Sequence, residues 1–573
     1  MNSRSVVIHG HFYQPPRENP WTDEIPRQPS AAPYHDWNER IHDECYRAVV
    51  AARILDGRGR ITRVMNALEL MSWDAGPTLL RWMERERPDT YQGFLDADVA
   101  SVTRVGHGGA MATPYHHVIL PLTSRREKVT EVRWGIADFE RRFRRTPVGM
   151  WLPETAVDME TLEVLAQEGI AFTVLAPRQV EAAPEGGLPG RVDLGGGRSI
   201  AVFVYDGSVS HDVGFGSLLK DSARWTQRLA EASKGREVVA VATDGETFGH
   251  HHTWGDMALA ATLQGVAAHP DLRLDNFASF LARHPPREDI TVVAPSSWSC
   301  IHGVDRWRRD CGCKSDPTRP TSQAWRAVLR EALAELADAL HVRFEREGRT
   351  LLLDPWAARD EYGTVLEGSS EERAAYLERH TAVPLDAAAL SRTVALLEME
   401  RDVLRMDTSC AWFFDDIARL EPLQSLYYAA HARDLLGPGG QELEDTLVRR
   451  LASAVSNDPA AGDGARLWRR KVRPASREKV VTTPGADRAP PRGEEHRARV
   501  GSSAITQAVA RALRDPSRDT VEGALTAVDG ADGADLFDVQ TTLARALAEA
   551  DDPDPHLVRL AERLEIAPDV VSS

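Results

Sequence analysis

The feature that most constrains this chain is an alternation that stops. Over roughly the first three hundred residues, short β-rich runs recur between segments whose apolar residues repeat at three and four: Ser5–Ile8, Ile61–Met65, Ser101–Val105, Pro147–Met150, Ala171–Leu175, Ile200–Val204, Glu237–Ala242 and Thr291–Val293. The intervening segments, among them Cys45–Leu55, Arg125–Phe143, Asp158–Gln167 and Ala258–Val266, read as helices. Such alternation predicts βα units and a mostly parallel sheet. Eight candidate strands suffice for a seven- or eight-stranded barrel. From about Thr321 the alternation ends, and strings such as SQAWRAVLREALAELADALHVRF predict a helical domain. Residues 456–503 turn to Pro, Gly, Ala and Arg, which predicts a disordered spacer, and 504–573 read as two or three short amphipathic helices. The expected division is therefore 1–318, 319–455, 456–503 and 504–573.

In a parallel α/β barrel the reactive groups collect beyond the carboxyl ends of the strands. The first exit, HGHFYQPP, offers His9, His11 and Gln14; histidines at i and i+2 leave a strand on the same side. Another exit, VGMWLPETAVD, carries Trp151 and then Glu154, with Pro153 locking the backbone just before the carboxylate. A run of Val and Ala typical of a strand buried on both faces ends at Asp244-Gly245-Glu246, followed by His250, His251 and His252. Two acids there suit a raised-pKa general acid beside an ionised nucleophile, with Glu246 either in the site or ordering its loop. The loop GHGGAMATPYHHVILPL adds His107, Tyr115, His116 and His117, and APSSWSCIHGVDRW adds Trp298, His302, Asp305 and Arg306. Together these exits describe a mouth of aromatic platforms and polar donors, fit to stack on sugar rings and bond hydroxyls. Trp73 and Trp134 read as core.

The chain carries 19 His and 14 Trp with a formal charge of −17, which repels phosphate backbones, so nucleic acid is excluded as a partner and a neutral or cationic substrate fits better. No stretch of about 20 apolar residues predicts a membrane span, and MNSRSVVIHGHFYQPP lacks the apolar segment of an export signal. Five cysteines, an odd number, argue against a secreted disulfide framework and for a reducing cytoplasm. Cys300 with Cys311-x-Cys313 lacks the paired C-x-x-C knuckles of structural zinc, so the thiols read as packing or as lining of the cleft rim.

Taken together, HGHFYQPP, WLPE and TDGETFGHH resemble the first, third and fourth motifs of glycoside hydrolase family 57, in order and spacing, over roughly residues 1–315. The resemblance implies an incomplete (β/α)7 barrel acting on α-glucans or maltooligosaccharides by a retaining mechanism, with no cofactor or metal. Glu154 then matches the nucleophile and Asp244 the acid/base, with His11 and His9 at the cleaved bond. The helical stretch containing RDVLRMDTSCAWFFDDI resembles an uncharacterised domain that follows such barrels and walls the cleft, which makes Trp412 and Asp415 or Asp416 further candidate contacts. Two departures stand out: Gly106-His107-Gly108-Gly109-Ala110 lacks the Glu common in the second motif, and two residues separate His11 from Gln14. The rival reading is a metal-dependent barrel hydrolase such as a polysaccharide deacetylase, with His9, His11, Asp244 and His250–His252 as ligands; a non-catalytic glycan binder is the third. Hydrolysis, transfer and branching stay open, as does the oligomeric state.

Overall fold

The computed structural model describes residues 3–381, 385–476, 494–530, 534–550 and 552–572, with side chains in the tail from 504. At its centre lies the strand Arg4–Phe12, buried along nearly its whole length. It runs parallel to Val238–Asp244, in a register that sets His11 opposite Asp244. It also runs parallel to Ser72–Ala75, which sets His11 opposite Asp74, and its first residues pair with Leu272–Leu274. Ser72–Ala75 continues to Ala110–Met111, Ala112 bridges Met150, and Gly149 bridges Phe172, all in parallel. Phe172–Leu175 then pairs with Arg198–Val204, and the Asp206 N–H donates to the Ala240 carbonyl at 2.7 Å, which leads back to Val238–Asp244. Val239 and Val241 pack on one side of that last strand and Val238, Ala240 and Ala242 on the other, so the Val/Ala run is explained by burial on both faces.

Several sequence expectations change here. Ser101–Val105 is not a strand; it ends the helix Pro88–Val105, which starts on Pro88 and stops at Gly106 with φ 78°, a left-handed stop natural to glycine. Thr291–Val293 contributes only the single bridge Val180–Val292. Cys45–Leu55 is not one helix but a π-turn and a short helix ending at Val49, followed by the strand Ala52–Leu55. Ile61–Met65 is a strand, yet it belongs to a separate small sheet between Ala52–Leu55 and Ile566–Ser572. Arg125–Phe143 is helical as its periodicity predicts, and Ser124 and Glu127 form a reciprocal capping box at its start.

Beyond Trp325 the chain is helical. In Trp325–Leu351, Leu329, Leu333, Leu336, Leu340 and Phe344 form one buried stripe that packs with the helices Ala387–Arg405 and Leu420–Leu436. This core does not end at 455. Leu467, Trp468 and Val472 belong to it, and the Trp468 indole N–H donates to Glu444 at 2.9 Å, so the first part of the expected spacer is folded. Residues 477–493 of that spacer lie outside the described residues. The helix Glu494–Arg514 then opens a tail with three further helices and the strand Ile566–Ser572. Ile505, Val509, Leu543 and Leu560 of the tail share one apolar cluster with Ala51, Ile61 and Val64, so the tail covers a sheet edge of the first domain. No helix among the described residues is long and apolar enough to cross a membrane.

Candidate active site

The parallel register brings three strand ends together. Asp74, which the sequence reading overlooked, sits between the two histidines of the first strand: Oδ1 lies 3.1 Å from His9 Nε2 and Oδ2 lies 2.8 Å from His11 Nδ1. All three are buried, and burial alone would strip the charge from both rings. For His11 burial is outweighed by Asp74, helped by Asp244 and Glu246, and its pKa is pushed up to about 9. For His9 burial wins and its pKa falls, while burial of Asp74 is outweighed by His11 and its carboxyl is held low. His117, at φ 57°, is driven well below the usual imidazole range by burial and by the charge on His11. One proton assignment satisfies all these contacts. Imidazolium His11 donates through Nδ1 to Asp74 and through Nε2 to His117 Nε2, 3.1 Å away, and neutral His117 donates through Nδ1 to Ser409 Oγ at 2.7 Å.

That chain of donors crosses into the helical domain. Tyr13 stacks on His117 with ring centres 3.6 Å apart, and its hydroxyl meets Thr408 Oγ1 at 2.9 Å. Thr408 and Ser409 therefore help wall the site, while the neighbouring Trp412 does not. Trp412 is fully buried, its indole N–H is spent on the Arg326 carbonyl at 3.1 Å, and Arg330 covers its ring. Its expected contact with substrate is replaced by a place in the helical core. Asp415 and Asp416 are likewise occupied, accepting from the backbone N–H groups of Ser315 and Asp316 and of Ala418 and Asn457.

Glu154 follows the short parallel segment around Met150 in a 3₁₀ turn, at φ 58°, with Thr155 also left-handed at φ 49°. Two adjacent non-glycine residues in that region are held against a conformational cost, a feature concentrated at working sites. What holds them is the segment Trp298–Ser299. The Trp298 backbone N–H donates to the Glu154 carbonyl at 3.0 Å, and the Trp298 indole and Ser299 hydroxyl both donate to Glu154 Oε2, at 2.9 and 2.5 Å. Burial pushes the Glu154 carboxyl up, opposed by Ser299, Arg306 and Trp298, and the charge of Asp244 adds to the rise. Asp244, half-buried at the end of its strand, is also pushed up by burial, opposed by His11. Among the described residues no hydrogen bond reaches its carboxylate. Trp151 is buried behind the pair, with His9 stacked on it and Trp298 packed edge-on at 5.2 Å.

Glu246 lies deeper. It accepts from the Tyr46 hydroxyl and from the Tyr13 N–H, and burial lifts its pKa to about 7. Gln14 stands behind it: its amide N–H donates to the Tyr46 oxygen at 3.1 Å, and its amide oxygen accepts from Arg17. Both residues thus order the loops that flank the acids. His250 is occupied by Glu44, and His252 by the Gly214 carbonyl at 2.9 Å, so the histidine run does not join His9 and His11 as the metal-hydrolase reading requires. His302 is also elsewhere, beside Cys313. Asp74, Tyr13, Tyr46, Ser299, Thr408 and Ser409 complete the arrangement and were not singled out by the sequence. Tyr13 and Ser299 lie within strings already read as strand exits, whereas Asp74 ends only the short run Ser-Trp-Asp-Ala.

Residues 30–292 match the model for glycosyl hydrolase family 57, and residues 322–483 match a domain of unknown function (DUF3536). No curated protein resembles the chain closely enough in sequence to match it. Among solved structures, an exo-type maltose-forming amylase from Pyrococcus sp. ST04 superposes with a TM-score of 0.62 at 16% identity, over 78% of this chain and 83% of that one. A family 57-type branching enzyme from Pyrococcus horikoshii gives 0.48 at 15% identity over 80% and 92%. The 4-alpha-glucanotransferase from Thermococcus litoralis gives 0.46 at 15% over 76% and 60%. The amylase likeness shows a shared fold, and the family model covers the segments WLPE and TDGETFGHH, while HGHFYQPP lies just ahead of the matched residues. Residues 30–292 are thus a glycosyl hydrolase family 57 domain, followed over residues 322–483 by the DUF3536 domain.

Proposed function

We propose that the chain is a retaining enzyme that cleaves or transfers α-glucosidic bonds in α-glucans. The observation that carries this reading is a pair of half-buried carboxyl groups, Glu154 and Asp244, in which the charge of Asp244 is felt at Glu154 but the two have opposite hydrogen-bonding surroundings. Glu154 receives two hydrogen bonds, which favour its anion and suit it to attack the anomeric carbon. Asp244 receives none and is raised by burial, which suits it to protonate the departing glycosidic oxygen. The Glu154 oxygen forms the new bond as the glycosidic C–O bond breaks. Asp244, now ionised, then takes a proton from water or from a sugar hydroxyl, and that oxygen displaces Glu154. A water acceptor makes the chain a hydrolase, a sugar acceptor a glucanotransferase or branching enzyme. His11, as imidazolium, places a positive charge next to Asp244 in the state where that acid has given up its proton.

In this reading the main-chain path that returns from Asp206 to Ala240 corresponds to an incomplete (β/α)7 barrel, of which Arg4–Phe12 is one stave. Trp298 and His11 line the sugar subsite, the Thr408–Ser409 corner of the helical domain closes one wall, and 504–573 serves as a brace rather than part of the site. The cysteines form no disulfide among the described residues, which supports a reducing, cytoplasmic setting. The test is incubation with maltooligosaccharides and amylose, resolving products by size and linkage. Glu154→Ala should lose all turnover and still bind glucan. Turnover that survives Glu154→Ala overturns the assignment.

A further inference from the structure

Between Arg283 and Trp325 the chain has no helix or strand other than the 3₁₀ turn Asp305–Trp307. An irregular stretch of that length is uncommon unless something pins it, yet this one must present Trp298 and Ser299 to Glu154 within hydrogen-bond distance. Val292, Val304 and Trp307 anchor it at separate points and Cys300 is buried, while Ile301 and His302, on either side of the buried thiol, are exposed.

Four ligand-type atoms converge in this stretch. Cys300 Sγ lies 3.8 Å from Cys311 Sγ and 3.9 Å from Cys313 Sγ, and Cys313 Sγ lies 3.7 Å from His302 Nδ1. All four atoms fall within 4.8 Å of one another, the one such group of four found among the described residues. A tetrahedral zinc with bonds of about 2.3 Å to sulfur and about 2.0 Å to nitrogen requires edges of about 3.8 Å between sulfurs and about 3.5 Å from sulfur to nitrogen. The three measured separations match those edges. They are far beyond the roughly 2.05 Å of a disulfide bond. Gly312, between the two later cysteines, sits at φ 83° with open space around its Cα, and its N–H donates to Asp310. That left-handed turn, which favours glycine, is what brings the Cys311 and Cys313 thiols to the same side. The backbone of the loop is held from the helical domain too, since the Arg326 guanidinium donates to the Cys313 carbonyl at 2.9 Å.

We propose that Cys300, His302, Cys311 and Cys313 bind one zinc ion that pins the loop carrying Trp298 and Ser299. Zinc displaces three thiol protons and takes the His302 Nδ1 lone pair, closing a four-coordinate site with no open position, which is a structural rather than a catalytic centre. The site stands apart from the carboxylate pair and does not depend on the reaction assigned to it. Two single-spaced pairs, Cys300-x-His302 and Cys311-x-Cys313, replace the C-x-x-C knuckles on which a sequence search relies.

The test uses the full chain, purified without chelator or added metal and analysed for metal content by mass spectrometry. The expected result is about one zinc per chain, lost in Cys313→Ala, a substitution at the half-exposed rim that spares the buried Cys300. Replacing zinc with cobalt(II) should give thiolate-to-metal charge-transfer bands and the intense ligand-field bands of a tetrahedral site. Stripping the metal should speed amide hydrogen exchange over residues 296–318 while leaving the tail unchanged. Three results overturn the proposal: a chain without metal that shows no thiolate bands on adding cobalt(II), zinc content unchanged by Cys313→Ala, or a disulfide joining two of the three cysteines in freshly purified protein.

Discussion

Asp74→Asn tests whether the buried charge at the heart of the site is real. The substitution keeps the shape of the side chain and removes its charge, so His11 loses the partner that outweighs its burial. The His11 pKa should then drop from about 9 to near or below its ordinary 6.5. The sign follows from linkage: a histidine raised in the folded state contributes stability that is fully present below 6.5 and is lost as the pH climbs through about 9. At about 1.4 kcal/mol per pH unit, that span corresponds to roughly 3 kcal/mol. Asp74→Asn should therefore be about 3 to 5 kcal/mol less stable than the parent at pH 6, the cost of breaking a buried pair. By pH 10, where the parent has also lost its charge, the gap should narrow by roughly 3 kcal/mol. Glu246, raised to about 7, titrates in both proteins and cancels to first order. The assays are the NMR titration of histidine-labelled protein, with His11 assigned through His11→Gln, and urea unfolding at both pH values. A narrowing of this size moves the difference in urea midpoints by about 1 M or more. Parallel pH profiles for the two proteins, with an unmoved His11 titration, would refute the reasoning.

Other predictions follow from neighbouring contacts. Ser299→Ala removes a hydroxyl that lowers the Glu154 pKa, so the acidic limb of kcat/KM should move to higher pH and kcat/KM below that limb should fall about tenfold; an unmoved limb denies Glu154 the role of ionised nucleophile. Trp412→Phe should cost about 1 to 3 kcal/mol of stability by orphaning the Arg326 carbonyl and should leave KM unchanged, since the ring is fully buried; a large rise in KM would return Trp412 to the cleft. Leu543→Ala, in the cluster that joins the tail to Ile61 and Val64, should cost about 2 to 5 kcal/mol and expose the sheet edge to proteolysis without changing kcat.

How much of this was legible beforehand depended on whether the signal was local. His9, His11 and Glu154 are legible as candidates because a strand exit writes its chemistry into a few consecutive residues, and TDGE because a doubly buried strand that ends in acids calls for a reason. Asp74 was missed because its strand, Ser72–Ala75, is only four residues long and is defined by its partners on either side. Thr408 and Ser409 reach the site from almost three hundred residues beyond His117, a pairing that no periodicity encodes. The Trp412 expectation failed for the converse reason, since an aromatic in a helical stretch looks alike whether it faces a cleft or a core. His302 reads as part of the sugar mouth because of its neighbours Trp298 and Arg306, and Cys300, Cys311 and Cys313 read as packing or rim because they lack paired C-x-x-C knuckles. The tail strand Ile566–Ser572 completes a sheet begun five hundred residues earlier, which is why the tail read as helices alone.

The central claim is that Glu154 and Asp244 work as nucleophile and acid/base on an α-glucan, and one measurement reaches it directly. The chain with Asp244→Ala is incubated with a maltooligosaccharide fluoride, whose leaving group needs no acid, and the peptides are then sequenced by mass spectrometry. A glycosyl group esterified to Glu154, with products of the parent enzyme released first as the α-anomer, is the predicted result. A β-anomer as the first product, or a sugar carried on any other residue, would contradict it.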